Sequence, residues 1–352
     1  MKTQSHTSVR LSKAGRFLVF LAAAAATVGT VGCRRAAEPV RLYGEAQGTY
    51  YTVQYYDSLQ RDLQPQVDSL LQAFDRSASL WVDSSLLRQL NAGLTDSLDD
   101  ILFFLLSHSL SVTDYTDGAF DPRVGRLVQA WGFSFQERSE PDSTTLANLL
   151  RAARGSVTIE GRRLRRQYPD TELDFNAIAQ GYASDLVGRY LEEKGIASYI
   201  VDIGGEVIAR GEKADGKPWK VGIERPAEDR YSEPVVHTAI ALHNRSVVTS
   251  GNYRKYYERN GTRYSHTIDP ATGRPVTHTL LSATVVEDDC WLADAMATAY
   301  MVMGLDKARA FIAAHPHGPG TGEVYLIYDS CGTLKEFATP QWQKLNADSE
   351  QP

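Results

Sequence analysis

The stretch "TELDFNAIAQGYASDLVGRYLEEKGIASYIVDIGGEVIARG", residues 171–211, changes its hydrophobic period twice in one passage. Its opening, "TELDF", reads as a short strand. Ile178, Tyr182, Leu186 and Tyr190 then recur at four-residue spacing, which predicts a helix from about Ala177 to Lys194 with one apolar face. Asn176 is placed as its N-cap and Gly195 as its stop. "SYIVDIGGEVIARG" predicts two strand pieces joined or bulged at Gly204-Gly205. A helix set between strands in so short a run predicts an α+β fold.

The flanks agree. Upstream, "TYYTVQYY" (49–56) has strand composition, and helices are predicted over 62–74, over 98–115 and in "LANLLRAAR" (146–154). The turn-rich "TDGAFDPRVG" (116–125) leads into helix-like material through Trp131. Downstream, "WKVGIERP", "HTAIALHNRSVVTSG" and "LLSATVVE" continue the β content, and "CWLADAMATAYMVMG" (290–304) predicts a helix ending at Gly304. No internal repeat or long linker intervenes, so residues 46–340 are expected to form a single module, with mixed sheets flanked by helices. A polar tether is expected over 33–45 and a short tail over 341–352.

The first 32 residues differ from the rest. Lys2, Arg10, Lys13 and Arg16 precede "FLVFLAAAAATVGTVG", 16 uncharged residues that stop at Cys33. So short an apolar run behind a basic start reads as an export signal and not as a membrane span. "TVGC" (30–33) resembles a bacterial lipobox with Thr30 where Leu is usual, and the alternative is a plain signal with an incidental cysteine. Loss of residues 1–32 removes four positive charges and takes the net charge from −6 to −10. An acidic chain is a poor nucleic-acid binder, which needs cationic groups to neutralise phosphates. Cys290 and Cys331 permit one disulfide, but their spacing does not demand it.

Four segments could carry chemistry. On a helix, Asp294 and Thr298 of "DAMAT" share a face. Two hard oxygen donors in an apolar helix suit Mg²⁺ or Ca²⁺; otherwise Asp294 lies near a cap and Thr298 bonds back to a carbonyl. "DFNAIAQGY" opens a helix through small residues, an arrangement that can bind phosphate or be only a strand–helix junction. "DGAFDPRVG" is a tight turn that admits a ligand ring or is merely structural. "RYSHTIDPATGRPV" (263–276) sets His266 beside a proline-bounded turn, as a catalytic device or a capped loop. No G-x-S-x-G, G-x-G-x-x-G or Walker A pattern is present.

Together these segments, with "GTYYTVQY" (48–55), "PWKVGIERP" (218–226) and "TSGNYRKYYERNG" (249–261), resemble the ApbE-type FAD:protein FMN transferases over roughly residues 46–305. The resemblance implies a T-fold-like α+β module with FAD in a cleft. It implies Mg²⁺-dependent transfer of FMN from FAD to a Thr or Ser hydroxyl of an exported flavoprotein carrying a flavinylation motif, with release of AMP. Asp294 and Thr298 match the family's metal ligands, with the main-chain carbonyl of Ala177 as a third. Gln47, Trp81, Ala119, Phe120, Asp121, Asp174, Gln180 and Thr267 fall at FAD-contacting positions, and His266 at that of a general base or positioning group. Gln47 stands where Met is common, Trp81 where Tyr is, and Gln180 where Lys is. The last removes a positive charge beside the expected pyrophosphate. The resemblance and the leader imply a lipoprotein anchored to a bacterial membrane through Cys33. An FAD pyrophosphatase giving FMN and AMP, or a non-catalytic flavin-binding lipoprotein, would use the same cleft.

Overall fold

A computed structural model describes residues 38–133, 140–226, 233, 235–252, 256–259 and 262–350; the leader and Cys33 lie outside them. Strands β1 (Val40–Ala46), β2 (Thr49–Tyr55), β5 (Tyr199–Ile203), β6 (Glu206–Arg210), β9 (Ser246–Gly251), β14 (Leu280–Glu287), β15 (Glu323–Ser330) and β16 (Thr333–Ala338) form one sheet in the order 1-2-5-6-9-14-15-16. Every pairing in it is antiparallel, which narrows the expected mixed sheets.

Both faces of this sheet are covered, and alternate residues divide between them. Ile208, Val248, Val285, Val324 and Leu326 enter the main core. Their strand neighbours Val207, Val247, Val286, Tyr325 and Ile327 enter a second core on the opposite face. A sheet buried on both sides explains why "LLSATVVE" carries no charge before Glu287 and buries Ser282 and Thr284 along with its apolar residues, instead of alternating with exposed ones. Helices α1 (Gln64–Ala78), α3 (Asp100–Tyr115), α6 (Ala179–Glu193) and α7 (Cys290–Ala314) contribute to the main core. The ribbon of β7 (Trp219–Glu224) and β8 (Val236–Leu242), with α8 (Pro340–Glu350), closes the second. A third, small core joins α4 (Gly125–Ala130) and α5 (Ser143–Ala153) to Ile268. Short helix α2 (Leu86–Asn91), the 3₁₀ turn Pro122–Val124 and the hairpins β3–β4 (Val157–Glu160, Arg163–Arg166), β10–β11 (Tyr256–Arg259, Thr262–Ser265) and β12–β13 (Ile268–Asp269, Arg274–Pro275) complete the described elements.

Several expectations need correction. The tether ends before residue 40, because residues 40–46 are the edge strand β1, with Leu42 and Ala46 buried between exposed Arg41, Tyr43 and Glu45. The expected tail is α8, whose Trp342 is fully buried in the second core. Among the described residues "TELDF" pairs with no strand. Asn91 mimics a ladder partner instead: its side chain accepts from Leu173 N–H at 2.9 Å and donates to Leu173 O at 2.8 Å. Asp174 N–H then donates to Pro122 O at 2.8 Å. Asn176 does not cap α6, which begins at Ala179 behind Ile178. The Asn176 N–H bonds Asp174 Oδ1 at 2.8 Å, so the aspartate shapes the turn before the helix.

Gly204 and Gly205 form the two-residue turn between β5 and β6, with φ of 70° and 110° that side chains rarely adopt. At Gly304 the α7 backbone breaks (φ 72°, ψ 172°) and then resumes to Ala314, so the predicted stop is a kink. His278 fills it: a Cβ on Gly304 would come within 2.7 Å of its ring, and its Nε2 lies 2.7 Å from Met301 O. Cys290 is buried, Cys331 is exposed and both are free thiols, so the permitted disulfide does not form between them. Among the described residues no helix is long and apolar enough to cross a membrane.

Candidate active site

The site is built where α6 meets α7. Asp185 lies on a buried face of α6, and its two carboxylate oxygens accept the N–H groups of Cys290 and Trp291, each at 2.9 Å. Those amides open α7, whose own N-cap residue, Asp289, contributes no side-chain bond. The cap therefore comes from the neighbouring helix, and it fixes the register between the two. Burial pushes the Asp185 carboxyl up to about 7, against the pull of the two amides.

One turn earlier on α6, Gly181 allows the backbones to meet. A Cβ there would lie 2.5 Å from Cys290 O and 2.9 Å from Asp294 Cβ. Its N–H donates to Asp294 Oδ2 at 3.1 Å, so Asp294, only 4% exposed, receives an amide from the opposite helix. Gly181→Ala is expected to lower the melting temperature by several degrees in thermal unfolding. The alanine gains about 1 kcal/mol of helix propensity, but overpacking against main chain costs about 1–3 kcal/mol and moves two helices.

Thr298 lies one turn after Asp294 on α7 and is half-buried. Its Oγ1 is 3.3 Å from Ser250 Oγ at the end of β9. A carboxylate followed by hydroxyls is a hard oxygen set, and its chemistry fits Mg²⁺ better than Zn²⁺. Among the described residues no three His, Cys, Asp or Glu side chains gather as a metal site. The expected third donor, the Ala177 carbonyl, lies in the turn leading into α6.

The strand turns bring other expected residues to the same helix start. A Cβ on Gly204 would meet Gln180 Nε2 at 2.9 Å and Thr49 Cγ2 at 2.8 Å, so Gln180 packs over the β5–β6 turn beside β2. Gln47 holds the β1–β2 turn at φ 53°, and both polar atoms of its side-chain amide are buried without a hydrogen-bond partner among the described residues. The Gln47 main-chain N–H bonds Asp75 near the end of α1. Trp81, 57% exposed, stands on the loop that follows that helix.

The Ala119–Asp121 loop reaches the site through the segment before α6. Asp174 is buried, which raises its carboxyl above the usual carboxylate range, and its amide holds Pro122. Phe120 turns its ring into the main core. Asp121 is committed to Arg123, whose Nη2 lies 2.7 Å from Oδ2, and it caps the 3₁₀ turn Pro122–Val124. Phe120 and Asp121 thus shape this loop with their side chains, and the Ala119 and Phe120 N–H groups both donate to Thr116, at 3.1 Å each. His266 is half-buried and Thr267 buried, and Thr267 O accepts Val276 N–H at 3.0 Å across the β12–β13 hairpin.

Residues 47–319 match the ApbE family model. The chain belongs to the ApbE family. Among curated relatives, the FAD:protein FMN transferase of Vibrio cholerae is 35% identical over 92% of this chain and 98% of its own. That of Escherichia coli K12 is 30% identical over 91% and 95%. Among solved structures, the flavin transferase ApbE from Vibrio cholerae superposes with a TM-score of 0.76 at 31% identity, covering 88% of this chain and 99% of that one. The Pseudomonas stutzeri flavinyl transferase ApbE, apo form, gives 0.78 at 31% identity, covering 88% and 97%. Within this ApbE module, the sequence singles out Asp294 and Thr298 as candidates but not Asp185 and Gly181, which hold α7 against α6 beside them. The available signal is the i, i+4 pairing of Gly181 with Asp185 on an otherwise apolar helix face.

Proposed function

We propose that the chain transfers FMN from FAD to a Ser or Thr hydroxyl of a target flavoprotein and releases AMP, in a Mg²⁺-dependent reaction. The observation that carries this reading is the Asp294 carboxylate, buried against the Gly181 amide one turn from Thr298, in a chain of the ApbE family. Asp294, Thr298 and the Ala177 carbonyl would hold Mg²⁺, which when bound supplies positive charge beside the pyrophosphate.

The chain's own residues position the reactants. Trp81 offers an exposed ring for the isoalloxazine, and the Gln47 amide gives a buried donor and acceptor that a nucleotide can satisfy. His266 takes the proton of the attacking hydroxyl, and that oxygen bonds to the FMN-side phosphorus. The bond from this phosphorus to the bridging oxygen breaks, and AMP leaves with that oxygen. Gln180 contributes hydrogen-bonding capacity but no charge, which places the neutralisation on the metal.

Incubation with FAD, Mg²⁺ and an acceptor domain bearing a Ser/Thr flavinylation motif tests the reading. Covalent flavin fluorescence on the acceptor, with one AMP per flavin, is the expected result. Free FMN and AMP with an unlabelled acceptor would mean hydrolysis, and retained FAD without turnover would mean simple binding. We further propose that Cys33 is lipidated and anchors the exported protein to a bacterial membrane. Cys33→Ala is expected to move the protein from the membrane fraction to the soluble exported one, as read by fractionation and immunoblot. Unchanged membrane retention would overturn the anchor.

A further inference from the structure

The hairpin that follows His266 is held from outside by a part of the molecule with no other evident task. Trp131, at the end of α4, is 1% exposed, and its indole N–H donates to Gly273 O at 2.8 Å. Gly273 has φ 67°, and a Cβ there would meet Leu146, Leu127 and Leu150 at 2.9–3.1 Å. The tip of the hairpin is thus pressed into the small core of α4 and α5, which Ile268 also enters. Arg154, just past α5, donates from Nη2 to Ala271 O at 2.7 Å. Arg274 lies 3.6 Å from Glu140. Inside the turn, Asp269 accepts from Ala271 N–H at 2.8 Å and from the Thr272 hydroxyl at 3.0 Å.

The clamp continues toward the site. Gly125, at the start of α4, packs 2.9 Å from Glu172 O by its would-be Cβ, and Gln129 donates to Glu172 Oε2 at 2.8 Å. Residue 172 lies two positions before Asp174, on the segment that enters α6. The α4–α5 core therefore rests on the segment that leads to Gly181, which contacts Asp294, and grips the hairpin that begins two residues after His266.

We propose that Trp131 is a positioning residue for flavin transfer: by holding Gly273 it sets the place of His266 relative to the α6 start, with Arg154 as a second, weaker hold. The proposal rests on the reading of His266 given above. A rigid frame matters because a displacement of about 1 Å between reacting groups can cost roughly 10²-fold in rate.

Trp131→Phe keeps an aromatic ring in the small core and removes the N–H. The test measures transfer kinetics of the full mature chain as wild type, Trp131→Phe, His266→Ala and the double variant, with thermal unfolding of each. Trp131→Phe is expected to lower kcat roughly 10-fold, with KM for FAD changed less than about 2-fold. In the His266→Ala background the same change is expected to cost less than about 2-fold, because the group it positions is gone. Arg154→Gln, on the surface, is expected to cost roughly 3-fold with the same loss of effect in that background, and it serves should Trp131→Phe fail to fold. Equal losses in both backgrounds, or no loss in the wild-type background, would overturn the positioning role. Full activity of His266→Ala would instead overturn the reading of His266, and the positioning role with it.

Discussion

Asp294→Ala is expected to lower flavin transfer by roughly 10³-fold or more, because charge stabilisation worth several kcal/mol converts at about 1.4 kcal/mol per decade. Asp294 is the one carboxylate in the proposed donor set, beside Thr298 and a main-chain carbonyl. Alanine also strips the Gly181 N–H of its acceptor inside a buried contact, at a cost of about 1–3 kcal/mol of stability. The two effects separate with Asp294→Asn. Its amide oxygen still accepts from Gly181, so the melting temperature is expected to stay near that of the wild type, while transfer is lost as in the alanine variant. Mg²⁺ is expected to raise the melting temperature of the wild type in a concentration-dependent way and leave both variants unmoved. Wild-type transfer rates from Asp294→Ala with divalent cations chelated would sink the metal assignment.

The legible parts of the fold are those where a single physical cause sets the pattern. "LLSATVVE" is β14 residue for residue, because burial on both faces admits no charge before Glu287 and only the small hydroxyl side chains of Ser282 and Thr284 within it. The Gly204-Gly205 turn is readable because only glycine accepts both positive φ values cheaply. Edge strand β1 is not, because one of its faces meets solvent and its composition imitates a linker. Helix α8 hides for a similar reason: Trp342 and Leu345 are its apolar anchors among the described side chains, in a polar sequence. "TELDF" misleads because extended backbone can be satisfied by one asparagine side chain as well as by a strand. At the site, i, i+4 geometry delivers Asp294 with Thr298. The Asp185 link joins residues 105 positions apart, and only the packing of α6 on α7 brings them together.

That link carries the second large effect. Asp185→Ala leaves the Cys290 and Trp291 amides without an acceptor in a buried place, at about 1–3 kcal/mol each, so a loss on the order of 2–6 kcal/mol is expected in denaturant unfolding. Because the same contact registers α7 on α6, the surviving folded enzyme is expected to transfer flavin more slowly through displacement of Asp294. The carboxyl also makes a pH signature. Burial raises it from 3.8 to about 7, Asp289 pushes the same way, and the two amides and Arg189 oppose. The folded state then binds the proton more tightly than the unfolded chain does. The stabilising contribution is complete below the unfolded value and is lost as pH rises through about 7. Asp185→Asn keeps one acceptor and does not titrate. The stability advantage of the wild type over this variant is therefore expected to shrink by about 2 kcal/mol between roughly pH 5 and pH 8. An advantage that stays flat or grows over that range would mean the amides outweigh burial, with the carboxylate ionised throughout and α7 capped by a full charge.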